Sequence, residues 1–170
     1  MAARFDKLVL VGLPGSGKST VGSAIAQKLG WRFIDLDTAI EESAGLRVPQ
    51  IFAQHGEAEF RRIEHDLTAR LAWEPRIVLS PGGGWILHNE LPGALVVWLA
   101  VEPHEAVRRL GAGVAGRPLL QPDPLQRMQQ LLAEREQYYE KADIHIDTNG
   151  KSADRVAAAV VLALEEEDGH

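Results

Sequence analysis

The sequence contains no cysteine, so it holds neither a disulfide framework nor a thiolate metal site. Aromatic residues make up only 6% of its 170 positions, and no stretch reaches the 18 or more uncharged apolar residues of a membrane span. The segment ahead of the first apolar run, MAARFDK, lacks the apolar core of a secretory signal; with cysteine absent, this points to a cytoplasmic protein. A basic excess is missing too. The formal net charge is -6, whereas a nucleic-acid binder carries a cationic face that neutralises phosphates. Neither nucleic acid nor membrane is therefore expected as a partner, and an anionic ligand must be met by locally clustered arginines.

What the chain does contain is alternation. Apolar runs with strand character occur at Lys7 to Val11, Trp31 to Ile34, Arg76 to Leu79, Ala94 to Val101 and Ile144 to Ile146. Between them lie helical patterns. Val21, Ile25 and Leu29 share a face and Gly30 follows as a stop. Thr38 to Glu41 reads as a capping box opening a second helix. Phe60, Ile63, Leu67 and Leu71 form one stripe of a helix from about Glu57 to Trp73. Shorter and longer helices are expected at Pro103 to Leu110 and Leu125 to Lys141, and a last one opens near Ser152 and buries Val156, Val160 and Leu164. Gly111 to Pro124, rich in glycine, alanine and proline, reads as a mobile loop. Short strands with crossover helices imply one domain over residues 1–170, a doubly wound parallel α/β sheet with its ligand crevice at the carboxyl ends of the strands.

The chemistry starts directly after the first strand, where residues 12–19 read GLPGSGKS. This is GxxxxGK[ST] between a strand and a helix, the setting in which bare backbone N–H groups converge on phosphates. Gly15, Ser16, Gly17, Lys18, Ser19 and Thr20 are the expected nucleotide contacts, with Lys18 reaching the β and γ phosphates of a nucleoside triphosphate and Ser19 ligating Mg²⁺. A plain glycine-rich turn with an exposed lysine is the bland alternative. No acid ends the third strand, which runs into Ser80-Pro81-Gly82-Gly83-Gly84. The second supplies two, Asp35 and Asp37, which alternation along the strand places on one side at its carboxyl end. They suit Mg²⁺ organisation and a substrate hydroxyl, while Asp37 also reads as a simple helix cap.

Six stretches in this order, GLPGSGKST, FIDLDTAIE, GEAEFRRIE, the GGG at residues 82–84, GRPLL and EREQYYEKAD, cover nearly the whole chain and resemble shikimate kinase, of the nucleoside-monophosphate-kinase-like P-loop group. The resemblance implies a P-loop three-layer α/β/α fold with a five-stranded parallel sheet, a substrate-binding segment near residues 35–64 and a lid near 111–124. It implies transfer of the ATP γ-phosphoryl group to the 3-hydroxyl of shikimate in aromatic amino-acid biosynthesis, by a monomer. Asp37 then binds the substrate hydroxyls and serves as candidate base, with Asp35 near the Mg²⁺ shell. Arg61 and Arg135 hold the substrate carboxylate, and Gly82, Gly83 and Gly84 present backbone N–H groups to the substrate. Arg117 closes over the phosphates in catalysis, and Arg109 stacks on adenine. Phe52, Phe60 and Leu119 wall the carbocycle.

On the residues alone, Arg61 reads equally as an i+4 partner of Glu57, Arg135 and Arg109 as helix-surface charges, and Phe52 and Phe60 as core. Two positions depart from the family pattern: Trp85 stands where a small residue is usual, and Ala153 where a proline or similar residue backs the adenine. An indole in the acceptor pocket would occlude the ring, so Trp85 is expected to turn outward, against Leu87 and Leu91. The six histidines have no metal spacing, and His145 reads as structural. A kinase of another polyol acid such as gluconate, and an ATP-binding switch without phosphoryl transfer, are the competing functions. The paired acids and the two arginines argue against the switch.

Overall fold

The computed structural model describes residues 4–114, 117 and 120–169. Strands β1 (Lys7–Val11), β2 (Arg32–Asp35), β3 (Ile77–Ser80), β4 (Ala94–Ala100) and β5 (Ile144–Asp147) form a five-stranded sheet in the order β2-β3-β1-β4-β5. Every pairing is parallel. Helices α1 (Lys18–Leu29), α2 (Leu36–Ala44), α3 (Val48–Leu71), α4 (Pro103–Leu110), α5 (Pro124–Tyr139) and α6 (Ala153–Asp168) connect and cover it. Side-chain alternation along β1 divides the core in two: Leu8 and Leu10 pack with Val21 and Ile25 of α1 and Val156, Val160 and Leu164 of α6, whereas Val9 and Val11 belong to the cluster containing Ile40, Phe60, Leu131 and Tyr139. Among the described residues no helix is long and apolar enough to cross a membrane.

The strand order decides where a ligand goes. The chain leaves β1 through α1 toward one edge and leaves β3 toward the other, so the loops after these adjacent strands part from each other and open a crevice between them. The loop after β1 is the glycine-rich loop, and the loop after β3 is the glycine triad.

Three expectations about local structure need correction. The second helix is capped not at Thr38 but at Asp35, whose carboxylate accepts from Thr38 N at 3.2 Å; Asp37 accordingly lies in the first turn of α2 and not on the strand. The helix expected from about Glu57 is the second arm of α3 and ends at Leu71, short of Trp73, while a first arm from Val48, not expected, precedes it across a break at Gly56 with φ 84° and ψ 168°. That conformation is open only to glycine without strain, so one residue turns a single helix into two arms. Trp85, finally, turns away from the crevice but inward: it is 2% exposed, and its Nε1 donates to Thr68 Oγ1 of α3 at 3.0 Å. Leu91 is buried in the same cluster, whereas Leu87 is exposed.

His145 is structural as expected, its ring edge-on to Trp98 at 5.2 Å, and Trp98 in turn stacks on Tyr139. The indole of Trp85 joins the triad loop to α3, so Trp85→Ala should lower the free energy of unfolding by about 3–5 kcal/mol; a urea titration showing a loss below about 1 kcal/mol would mean that the loop is held elsewhere.

Candidate active site

A cleft of about 550 Å³ opens at the carboxyl end of the sheet. One wall is the glycine-rich loop and the start of α1, Pro14 to Val21; the others bring Asp35 and Asp37, Ser80 to Gly83, Arg109, Arg117, Thr148, Lys151 and Ala153. The loop is shaped by contact. Gly15 has φ 83°, and a Cβ there would collide with the backbone oxygen of Ala106 in α4. Gly17 caps α1 with no side-chain bond, leaving the first-turn N–H groups of Lys18, Ser19 and Thr20 to an external acceptor. Ser16 Oγ is buried with no partner. The loop therefore has the unspent donors of an oxyanion cradle. Ser19 Oγ donates to Asp35 Oδ2 at 3.3 Å, which puts two hard oxygen donors side by side, a donor set that fits Mg²⁺.

Lys18 folds back on its own loop, Nζ donating to Gly12 O at 2.7 Å and Leu13 O at 3.0 Å. Burial pushes its ammonium down to about 7, with the cations Arg135 and Arg117 adding to the fall against Asp37 and Asp35. Asp37 moves the opposite way: burial first, then the neighbouring carboxylates of Asp35, Glu64 and Glu41, push it up to about 6 despite Lys18. An acid and a base both drawn toward neutrality in one cleft are the signature of a site whose missing charge arrives with the ligand.

Beyond the cleft lining the site continues past Gly83 to Gly84, Arg61 and Arg135. An ideal Cβ on Gly82 would stand 2.7 Å from Asp37 Oδ1, one on Gly83 2.6 Å from Arg135 Nη1, and one on Gly84 2.5 Å from Arg61 Nη2. Each glycine makes room for one charged side chain. Asp37 Oδ1, Arg61 Nε, and Arg135 Nε and Nη1 are buried without a hydrogen-bond partner. Arg61 does meet Glu57, at 3.6 Å, and more closely Glu64, at 2.9 Å. Arg109 is no free surface charge, since it donates to Thr148 Oγ1 and Thr148 O and pairs with Glu105.

Sequence reasoning missed Glu64, Thr148 and Lys151. Glu64 is fully buried although charged, and its place four residues after Phe60 on the apolar stripe is the signal that was available. Thr148 and Lys151 sit on the turn after β5, where nothing in the sequence distinguishes them. Phe60 is core, 4% exposed, and Phe52 packs on it at 4.8 Å while remaining 38% exposed; neither lines the cleft. Leu119 lies outside the described residues.

The family model described as shikimate kinase matches residues 14–165. The chain belongs to the shikimate kinase family. A shikimate kinase of Moorella thermoacetica is 45% identical over 162 residues, 92% of this chain and 93% of that one. A shikimate kinase of Mycobacterium avium is 43% identical over 164 residues, 93% of each. Among solved structures, the shikimate kinase from Acinetobacter baumannii in complex with shikimate superposes with a TM-score of 0.88 at 32% identity, covering 96% of this chain and 94% of that one. A gluconokinase from Sinorhizobium meliloti, at 18% identity and a TM-score of 0.63 with 99% and 96% covered, shares the fold.

Asp37→Asn tests the electrostatics. The carboxyl is held up to about 6 from its ordinary 3.8, so the cost of its charge is absent below about pH 4, grows between pH 4 and 6 and is complete above. The variant should be more stable than wild type by of order 2 kcal/mol at pH 7.5, and the gain should vanish near pH 4. A denaturation series against pH in which the variant is nowhere more stable would show Asp37 to be well solvated. Lys18 gives a second pH test. Titrating near 7 when free and higher beside a triphosphate, it should take up close to one proton per ATP bound at pH 8 and much less at pH 6, read by calorimetry in buffers of different ionisation enthalpy.

Proposed function

We propose that the cleft transfers the γ-phosphoryl group of ATP to the 3-hydroxyl of shikimate, giving shikimate 3-phosphate and ADP in aromatic amino-acid biosynthesis, in a monomeric cytoplasmic enzyme that needs neither nucleic acid nor membrane. One observation carries the reading: the carboxylate of Asp37 and the guanidinium groups of Arg135 and Arg61 stand against Gly82, Gly83 and Gly84, with Asp37 Oδ1 and Arg135 Nε and Nη1 buried without a hydrogen bond. A hydroxy acid complements that set, its carboxylate taking the two arginines and a hydroxyl taking Asp37.

Lys18 and the loop N–H groups of residues 15–20 hold the β and γ phosphates, and Arg109, fixed flat by Thr148, backs the base. Ser19 and Asp35 would hold Mg²⁺, which when bound would neutralise charge on the phosphates. Asp37 orients the acceptor hydroxyl and takes its proton as the oxygen bonds to the γ phosphorus and the bond from that phosphorus to the β–γ bridging oxygen breaks, releasing ADP. A carboxylate held near 6 is ionised at neutral pH yet basic enough to accept that proton. Arg117, exposed on the segment 111–124 that acts as lid, adds positive charge over the transferring group when closed. Residues 35–64 supply the acceptor side.

The gluconate alternative has only a fold-level likeness behind it, and a switch gives no use to the guanidinium groups of Arg61 and Arg135 gathered beside the glycine triad. A coupled ADP-release assay over a panel of hydroxy acids should show release that depends on shikimate. Release without any acceptor, or only with gluconate, would replace the reading. Arg135→Ala should raise the shikimate KM ten- to a hundredfold, the worth of about 1.5–3 kcal/mol for a charge-assisted bond, while ATP affinity measured at equilibrium stays within threefold; equal losses for both would move Arg135 out of the acceptor site.

A further inference from the structure

Glu64 Oε1 receives two donors, Arg61 Nη1 at 2.9 Å and Asn89 Nδ2 at 2.9 Å, while its Oε2 is buried with none. Asn89 comes from outside α3. It stands just past the 3₁₀ turn Trp85–Leu87 that follows the triad, where its own N–H and its Nδ2 both reach Trp85 O, at 2.9 and 3.4 Å. Its amide orientation is dictated by chemistry: facing a carboxylate it must present NH₂, which leaves Oδ1 toward His65 Nδ1 at 3.3 Å.

We infer that Asn89 is a positioning residue for Arg61, fixing from the far side the carboxylate against which the guanidinium is held. The inference rests on the reading of Arg61 as one arm of the acceptor-carboxylate clamp. Of the two anions beside Arg61, Glu57 is 3.6 Å away with a 63% exposed side chain, whereas Glu64 is 2.9 Å away and fully buried, so Glu64 sets where the guanidinium sits. With Asn89 sharing Oε1, Glu64 engages Arg61 through a single bond and leaves its other donors to the ligand. Without that amide, the desolvated carboxylate regains a second donor by turning to grip Arg61 bidentately, which withdraws the group that Gly84 was cleared to admit. Among the described residues, Glu64 meets Arg61 on its own helix and acts on Asp37 of α2, which feels its field; His65 stands one bond further out through Asn89. A groove of about 780 Å³ beside Asn89, bordered by His65, Trp85 and Tyr138, gives its side chain room, so packing does not demand this residue.

Three variants separate positioning from packing. Asn89→Asp keeps the shape and the backbone bond but replaces the amide donor with a second carboxylate. Its acceptor KM is expected to rise at least tenfold, with kcat within threefold and the ATP KM within twofold of wild type. Facing carboxylates share a proton, so the variant-to-wild-type ratio of acceptor KM should shrink at least threefold from pH 8 to pH 6. Asn89→Gln, which retains the donor and has the groove to bend into, should stay within threefold of wild type. Asn89→Ala should raise KM about tenfold with a ratio that does not change with pH, and it decides the matter if the aspartate variant does not fold. Acceptor KM within twofold of wild type in both the aspartate and alanine variants, or a kcat loss that follows thermal stability in all three, would overturn the inference. Wild-type shikimate phosphorylation runs in the same series, so failure of the underlying reading shows as an inactive wild type and not as variants that behave like it.

Discussion

At Gly82, Gly83 and Gly84 the backbone occupies ground where a Cβ would lie 2.7 Å or less from Asp37, Arg135 and Arg61, closer than any carbon can approach such atoms. The acceptor half of the site depends on this exclusion. Three charged side chains from three different helices converge on a turn with no side chains of its own, and a Cβ at any of the three would push one of their charged tips aside. The turn is in turn pinned to α3 by Trp85 on Thr68 and by Asn89 on Glu64, so hydrogen bonds tie the helix that carries Arg61 to the loop that yields to it.

The convergence is costly. Asp37, Arg61 and Arg135 keep buried polar atoms unpaired, and Lys18 and Asp37 are each pushed toward their uncharged forms by burial. Groups in that condition destabilise the empty protein and are satisfied by a ligand of opposite pattern, which is how a site comes to bind tightly what it was built around. The sheet makes the arrangement tolerable, because the apolar layers on both of its faces are complete without any of these residues.

Much of this was legible beforehand. The five strands were read to within a residue or two of their ends; for β1 and β3, buried on both faces, the signal is a short unbroken apolar run, whereas the edge strands β2 and β5 carry exposed polar residues and were marked by apolar residues at alternate positions. The phosphate loop was legible because its chemistry is local: backbone geometry, helix start and lysine lie within nine consecutive residues. Helix ends were read less well. Thr38 resembled a cap, yet Asp35 took the role since its carboxylate also meets Ser19, a partner from another element. Gly56 breaks α3 at a point where the apolar stripe gave no reason to extend the helix upstream.

By itself the order of residues determined the fold class, the phosphate-binding loop and the identity of the acids and arginines that matter, since each of these follows from spacing along the chain or from a family pattern carried on it. Only the tertiary structure decided what the glycine triad accommodates, that Glu64 is a buried member of the arginine clamp, that Asn89 stands behind it, and that Trp85 turns inward. Those are contacts between elements far apart in sequence, and their energies come from burial and exclusion, which exist only once the elements have been packed against one another.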